Sequence, residues 1–132
     1  MELTDYDAIY TLWSNTPGVG ITEADSYEGI SSFLQHNPGL SFVCEERGSI
    51  VGTAMCGSDS RRGYMYHLAV LPEHRGRGIG SALVQNCLHG LANMGIIDRC
   101  HAFVFAGNVV GNDFWMKGWR KRNDIFVYSK DL

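Results

Sequence analysis

The sequence predicts a mixed α/β fold, α+β-like, in which one sheet is sandwiched between helices within a single domain spanning residues 1–132. Three observations predict it. Two stretches of helical apolar spacing come before any clear strand; a hairpin pattern and a continuous apolar run follow; the second half alternates strand, helix, strand, helix, strand. With 45% hydrophobic and 19% charged residues over 132 positions, the chain can bury a core of that kind.

Thr4 followed by Asp7 reads as a capping box, and Tyr6, Ile9, Tyr10 and Trp13 recur behind it at helical spacing. Asn15-Thr16-Pro17-Gly18 ends this first helix. Asp25 and Glu28 read as a second box, with Tyr27, Ile30, Phe33 and Leu34 on one face and Asn37-Pro38-Gly39 as the stop. Residues 40–46 form a strand, Arg47-Gly48 a tight turn, and 50–56 the returning strand. Residues 58–63, with Arg61-Arg62, are a second turn. Residues 64–71 are apolar almost throughout, as suits a central strand covered on both faces, and Pro72 closes it. From Gly78, the positions Ile79, Leu83, Val84, Cys87, Leu88 and Leu91 make a helical stripe that ends near Gly95. Residues 100–105 form a strand, 109–117 a short helix, and the chain finishes in a strand pair whose clearest part is 125–128.

Composition narrows the function. A net charge of −3 argues against a general nucleic-acid binder. No apolar run approaches the roughly 20 residues of a membrane span, and the start Met-Glu-Leu-Thr-Asp lacks the pattern of a secretory signal. The expected location is the cytoplasm, with no membrane or nucleic-acid partner. Cys44, Cys56, Cys87 and Cys100 are irregularly spaced among apolar residues and read as small buried hydrophobes, so no metal is expected.

The chemistry centres on residues 75–81, Arg-Gly-Arg-Gly-Ile-Gly-Ser. A strand entering a glycine-rich turn and then a helix presents unpaired N–H groups and a positive dipole end, which together bind an anion. Gly76, Gly78 and Gly80 allow close approach, and Arg75 and Arg77 add charge at the rim. A P-loop would need Lys-Ser or Lys-Thr after its last glycine, where Gly80 is followed by Ser81-Ala82. A Rossmann fingerprint would need glycine where Ser81 stands, and its ribose-binding acid should end the next strand, whereas Asp98 precedes one. Both spellings fail.

Arg75-x-x-Gly78-x-Gly80, preceded by Leu68-Ala69-Val70-x-Pro72-Glu73, closely resembles the central motif of the GNAT superfamily of acetyl-CoA-dependent N-acetyltransferases. Residues 45–52 look like that family's second and third strands, and Asn108-x-x-Gly111-x-x-Phe114-Trp115 with Gly118-Trp119 looks like its later helix and strand. The resemblance implies a mostly antiparallel central sheet, splayed in a V and flanked by helices on both faces. It also implies that acetyl-CoA is the acyl donor and an amine the acceptor. The backbone of Leu68, Ala69 and Val70 would pair with the pantetheine arm, and the amides of Arg75, Gly76, Arg77, Gly78, Ile79, Gly80 and Ser81 would hold the pyrophosphate. Asn108 would contact the cofactor arm, and Trp115 would line the channel near the thiol. An N–H near Leu68 or Ala69 would stabilise the oxyanion. A monomer or homodimer is expected.

Relatives often place a Glu, His or water on the third strand as proton acceptor. In a regular strand, Tyr64, Tyr66 and Leu68 face one way and Met65, His67 and Ala69 the other. Tyr66 would then face the acceptor and orient a water, although a phenol with a pKa of about 10 is a weak base. An imidazole is ordinarily the better base, but His67 has the wrong parity unless a bulge intervenes, and otherwise reads as a core histidine. Many relatives carry a tyrosine at the position of Trp115, where it protonates the leaving thiolate. Indole donates a hydrogen bond without giving up its proton. Tyr128 is a remote substitute, or the thiolate leaves unprotonated. The alternative function is a non-catalytic acyl-CoA sensor.

Arg61-Arg62 and Arg120-Lys121-Arg122 read as solvated turns. Trp13, Tyr10 and Phe33 suit either an acceptor pocket or the core, and residues 16–24 suit a mobile acceptor loop.

Overall fold

The computed structural model describes residues 1–95 and 97–132. Helix α1 (Tyr6–Ser14) grows from a 3₁₀ turn, Leu3–Asp5, whose capping box is formed by Glu2 and Asp5 rather than Thr4 and Asp7. The Asp5 carboxylate accepts the Glu2 N–H at 2.8 Å, so the cap sits closer to the N-terminus than the spacing predicts. Helix α2 (Tyr27–His36) is capped by the Ser26 hydroxyl, which accepts the N–H of Gly29. Asp25 belongs instead to a box with Thr22 around the turn Glu23–Asp25, so the expected Asp25–Glu28 box does not form. This difference turns the Asp25 side chain inward, where it is 5% exposed.

Strands β1 (Phe42–Glu46), β2 (Ser49–Ser58), β3 (Gly63–Val70) and β4 (Cys100–Ala102) form one sheet in the order β1-β2-β3-β4. The first three pair antiparallel, and β4 pairs parallel to β3. Helices α1 and α2 cover one face, burying Ile9, Leu12, Trp13 and Ile30 against Met55 and Ala69. Helix α3 (Ile79–Asn93) covers the other, with Leu83, Val84, Cys87 and Leu91 against Ala54, Cys56 and Met65. The apolar character of residues 64–71 thus follows from burial on two sides. Helix α4 (Val109–Met116) packs Phe114 and Trp115 against the α3 side. All four cysteines are free. Cys56 and Cys87 are buried, whereas Cys44 and Cys100, expected to be buried too, are only partly so, and hydrogen bonding to Cys56, with burial, pushes the Cys100 thiol up. Among the described residues no helix is long and apolar enough to cross a membrane.

The turn joining β2 to β3 is held by Asp59, whose carboxylate accepts the N–H groups of Arg61 and Arg62 at 2.8 and 2.7 Å. Those bonds from Arg62 and Arg61 hold its carboxyl below the ordinary value of 3.8. A depressed folded-state pKa means that the contribution is complete above the unfolded value and is lost as the pH falls through the folded one. An NMR titration of the Asp59 carboxyl carbon is expected to show a midpoint below 3.8; an ordinary midpoint would mean that the turn is open in solution.

Two features shape the site. Opposite the single residue Ala54, β3 carries two, His67 and Leu68, because the register shifts from Met55↔Tyr66 to Thr53↔Ala69. This is a β-bulge, and His67 adopts φ +47° to make it. Beyond Met65, β3 also leaves β4, since the ladder between them covers only Gly63, Tyr64 and Met65. The sheet therefore splays, and the β4 side of residues 66–70 is an open strand edge. The strand expected over 100–105 is paired only at Cys100–Ala102 for the same reason.

The expected final strand pair is not formed. Ile125, Phe126, Val127 and Tyr128 are 48, 83, 64 and 91% exposed. An apolar run makes a strand only with a neighbour about 4.8 Å away. This segment instead stands off β4 across a groove of about 530 Å³.

Candidate active site

Between β3 and α3 the chain passes through a short 3₁₀ turn, Pro72–His74, and reaches Arg75. Gly76 and Gly78 then take φ +74° and +82°, a region that side chains disfavour. Gly78 is the N-cap of α3 and offers no side chain to its first turn. The first backbone bond of the helix is Ala82 N–H to the Gly78 carbonyl at 2.9 Å. Among the described residues, the amides from Gly76 to Ser81 donate to no protein acceptor. A Cβ built at Gly76 or Gly78 meets nothing within 4 Å, so the loop opens on free space. Bare amides, a helix start and an open mouth together form an anion cradle.

The arginines are not both free at its rim. Arg75 Nε donates to the Val70 carbonyl at 2.8 Å and clips the loop to the end of β3. The guanidinium of Arg77 grips both carboxylate oxygens of Glu46 at 3.2 and 2.8 Å, and His74 adds a third contact at 3.2 Å. The Arg77 hydrogen bonds hold the Glu46 carboxyl below its ordinary value. Arg77 therefore braces the loop against β1, with most of its charge answered by Glu46.

The bulge corrects the expected face assignment on β3. Leu68 and Val70 pack on the α3 side, whereas Ala69 packs on the α1 and α2 side. Tyr64, Tyr66 and His67 share that second side, so Leu68, not His67, is the residue parted from the tyrosines. The ring of Tyr66, 39% exposed, meets Phe33 edge-on, and Tyr64 stacks on Phe103. Burial pushes the Tyr66 phenol above its ordinary value, which keeps its proton on. The His67 imidazole lies 4.5 Å from the Trp13 ring and donates from Nε2 to Asp25 Oδ1 at 2.6 Å. The Thr53 hydroxyl donates to the His67 carbonyl at 2.9 Å and accepts the Trp13 indole N–H at 2.8 Å. Trp13 is therefore core, and Tyr10 sits at the surface with 36% exposure.

Across the splay, Asn108 caps α4 through Oδ1, which accepts the Gly111 N–H at 2.9 Å. Gly18 and Gly20, within the expected acceptor loop of residues 16–24, lie against this side. Gly18 has φ +89°, and any Cβ there would strike the Asn108 carboxamide, while Gly20 rests on the Phe105 ring. Trp115 meets Phe114 and Trp119 edge-on at 5.2 and 4.6 Å. Tyr128, the remote acid candidate, stands in solvent.

Several residues here were not singled out from the sequence for the site. Glu46 was legible only as part of a strand, Thr53 carries no motif, and Asp25 is legible only as a cap. The contact of Asp25 with His67 spans 42 positions, which no local pattern encodes.

Residues 6–119 match the profile of the acetyltransferase (GNAT) family. The chain belongs to that family. An acetyltransferase of Photorhabdus laumondii subsp. laumondii is 43% identical over 84 residues, 61% of this chain and 55% of that protein. One from Pectobacterium atrosepticum is 41% identical over 80 residues, 61% and 56% of the two chains. The chain thus spans little more than half the length of these curated relatives. Among solved structures, aminoglycoside N-acetyltransferase AAC(6')-Iy with a CoA-linked bisubstrate analogue superposes with a TM-score of 0.77 at 19% identity, over 100% of this chain and 95% of its own. A ribosomal-protein-alanine N-acetyltransferase of Brucella melitensis biovar Abortus gives 0.76 at 17% identity, over 100% and 95%. The likeness to both is one of fold. In this GNAT chain, the V-shaped opening between β3 and β4, with helices on both faces, agrees with what the motif around Gly78 implies.

Proposed function

We propose that the chain transfers an acetyl group from acetyl-CoA to a primary amine, on a small molecule or a peptide, by direct attack in a ternary complex. One observation carries this reading: the cradle of bare amides at residues 76–81 opens at the end of β3, beside the strand edge freed by the splay. The pyrophosphate would sit on the amides from Gly76 to Ser81, since the Arg75 N–H, expected among them, donates to the Pro72 carbonyl at 3.2 Å, and the pantetheine would lie along Leu68, Ala69 and Val70 in the place of a strand. Asn108 and Trp115 would flank the arm from the α4 side. The names of the structural neighbours, an aminoglycoside and a ribosomal-protein N-acetyltransferase, support an amine as acceptor. Four free cysteines support a reducing, cytoplasmic setting.

The transfer needs a neutral amine, a polarised carbonyl and a leaving thiolate. A backbone N–H at Leu68 or Ala69 would polarise the carbonyl, since the bulge loosens the ladder there. Trp115 leaves no acid at the position it occupies, so the thiolate departs unprotonated, as its weak basicity permits. Trp115 also favours a second reading, an acyl-CoA sensor without turnover. Thiol release from acetyl-CoA across a panel of amines separates the two. The proposal expects amine-dependent release; tight CoA binding with no release on any amine would support the sensor, and no binding would reject both.

A further inference from the structure

Three polar side chains are buried among those of the described residues, Asp25, Ser41 and Thr53, and Asp25 alone of them is a carboxylate. A buried carboxylate is costly unless its oxygens are engaged. Both are. Oδ2 accepts the Thr22 N–H at 2.8 Å, and Oδ1 accepts the Nε2–H of His67 at 2.6 Å. The Tyr6 hydroxyl fixes the backbone of Asp25 by donating to its carbonyl at 3.0 Å.

His67 is held as tightly from the other side. Its backbone sits at φ +47°, a conformation that non-glycine residues disfavour. What this strain achieves is placement: it sets the imidazole on the same face as Tyr66, next to the point where β3 parts from β4. The Nδ1 atom has no protein partner among the described residues, and none of their side-chain nitrogens is both buried and unpartnered, so Nδ1 is not fully enclosed. The side chain as a whole is 13% exposed.

We propose that Asp25 and His67 form the proton-accepting pair of the acetyl transfer, Asp25 Oδ1 holding the Nε2–H so that the Nδ1 lone pair is free to take the proton shed by the acceptor amine. The proposal rests on the acetyl-transfer reading above. The amine nitrogen forms its bond to the thioester carbon, and the C–S bond breaks with its electron pair leaving on sulfur. The extra proton on the new amide nitrogen passes to Nδ1, directly or through one water. The resulting imidazolium faces the Asp25 carboxylate and returns the proton to the CoA thiolate or to water. Tyr66 is a hydrogen-bond donor beside this step, because burial keeps its phenol protonated. The remaining titratable groups nearby, Asp7, Tyr10 and Glu28, surround the Tyr6 phenol. In this scheme His67 is catalytic and Asp25 is a positioning residue.

The test uses the whole chain. In the free protein, long-range ¹⁵N–¹H spectra are expected to show His67 as the Nε2–H tautomer; the Nδ1–H tautomer would overturn the proposal. Asp25→Asn, whose amide can donate as well as accept, is expected to lower kcat by about 100-fold, within the range of general-base catalysis. Its affinity for CoA should stay unchanged. His67→Gln should lose about as much, and the double variant no more than either alone, as expected of groups acting as a unit. If Asp25→Asn kept kcat within about twofold, or lost CoA affinity in proportion, the role would be structural and the proposal wrong. A wild-type chain that binds acetyl-CoA but acetylates no amine would also overturn it, whereas one that does not bind CoA rejects the underlying reading.

Discussion

Replacing Gly78 by leucine is expected to weaken CoA binding at least about 100-fold while leaving the folded chain in place. Gly78 stands at φ +82°, and a Cβ there touches no protein atom within 4 Å. The free protein therefore feels only the backbone conformation, a cost of about 1–2 kcal/mol. A bound phosphate feels much more. The leucine side chain would project beside the amides that form the cradle, and the backbone would relax away from the geometry that aims them at one anion. Losing two charge-assisted hydrogen bonds, at about 1.5–3 kcal/mol each, corresponds to roughly two orders of magnitude or more in affinity. Calorimetry on the variant, together with a melting curve, checks both halves. An unchanged Kd would reject the cradle as the cofactor site. A chain that no longer folds would show that the conformation of Gly78 matters to the sheet as well as to the ligand.

The second large effect concerns stability. Trp13→Ala is expected to cost about 3–5 kcal/mol, a large share of the roughly 5–15 kcal/mol that holds a domain together. Trp13 is 0% exposed and lies among Ile9, Leu12, Ile30 and Met55. Its indole also rests against the His67 ring and donates to Thr53. Removing the ring opens a cavity behind the bulge, and the side chains lining it belong to four elements, α1, α2, β2 and β3, that cannot all move inward. Trp13→Phe separates the parts, because it keeps most of the packing and loses mainly the hydrogen bond, about 1 kcal/mol. Urea denaturation should show a lower midpoint with an unchanged slope for both variants, much lower for alanine. Equal effects of the two variants would mean that packing at this site counts for little.

The order of elements was readable because it follows from hydrophobic period and punctuation. The stripe from Ile79 to Leu91 and the stop at Asn37-Pro38-Gly39 are local patterns, and the structure keeps them. The cradle was readable for the same reason, since its glycines, its helix and the strand before it are contiguous. The acceptor side was not. Alternation along residues 64–70 predicts faces only for a strand without a bulge, and the bulge is made by a histidine at positive φ, which no sequence rule expects. One extra residue reverses every later side chain, and so Leu68 and His67 exchange sides. Asp25 carried a legible local role as a cap, which hid its tertiary one. Arg77 read as free charge because its partner, Glu46, lies 31 positions away on β1. The run Ile125 to Tyr128 has strand-like composition, but composition does not supply a neighbouring edge.

The open edge of β3 has a colloidal consequence. Unpaired backbone groups on an apolar strand are a template for any other extended chain, including a second copy of the same protein. Phe103 and Phe105, 58 and 63% exposed, add apolar surface of the same kind. A ligand that lies along Leu68, Ala69 and Val70 would satisfy the same groups, and by mass action it would also favour the folded chain. Its binding would then act as a guard against self-association. On that reading the ligand-free protein would be the form more prone to self-associate when concentrated.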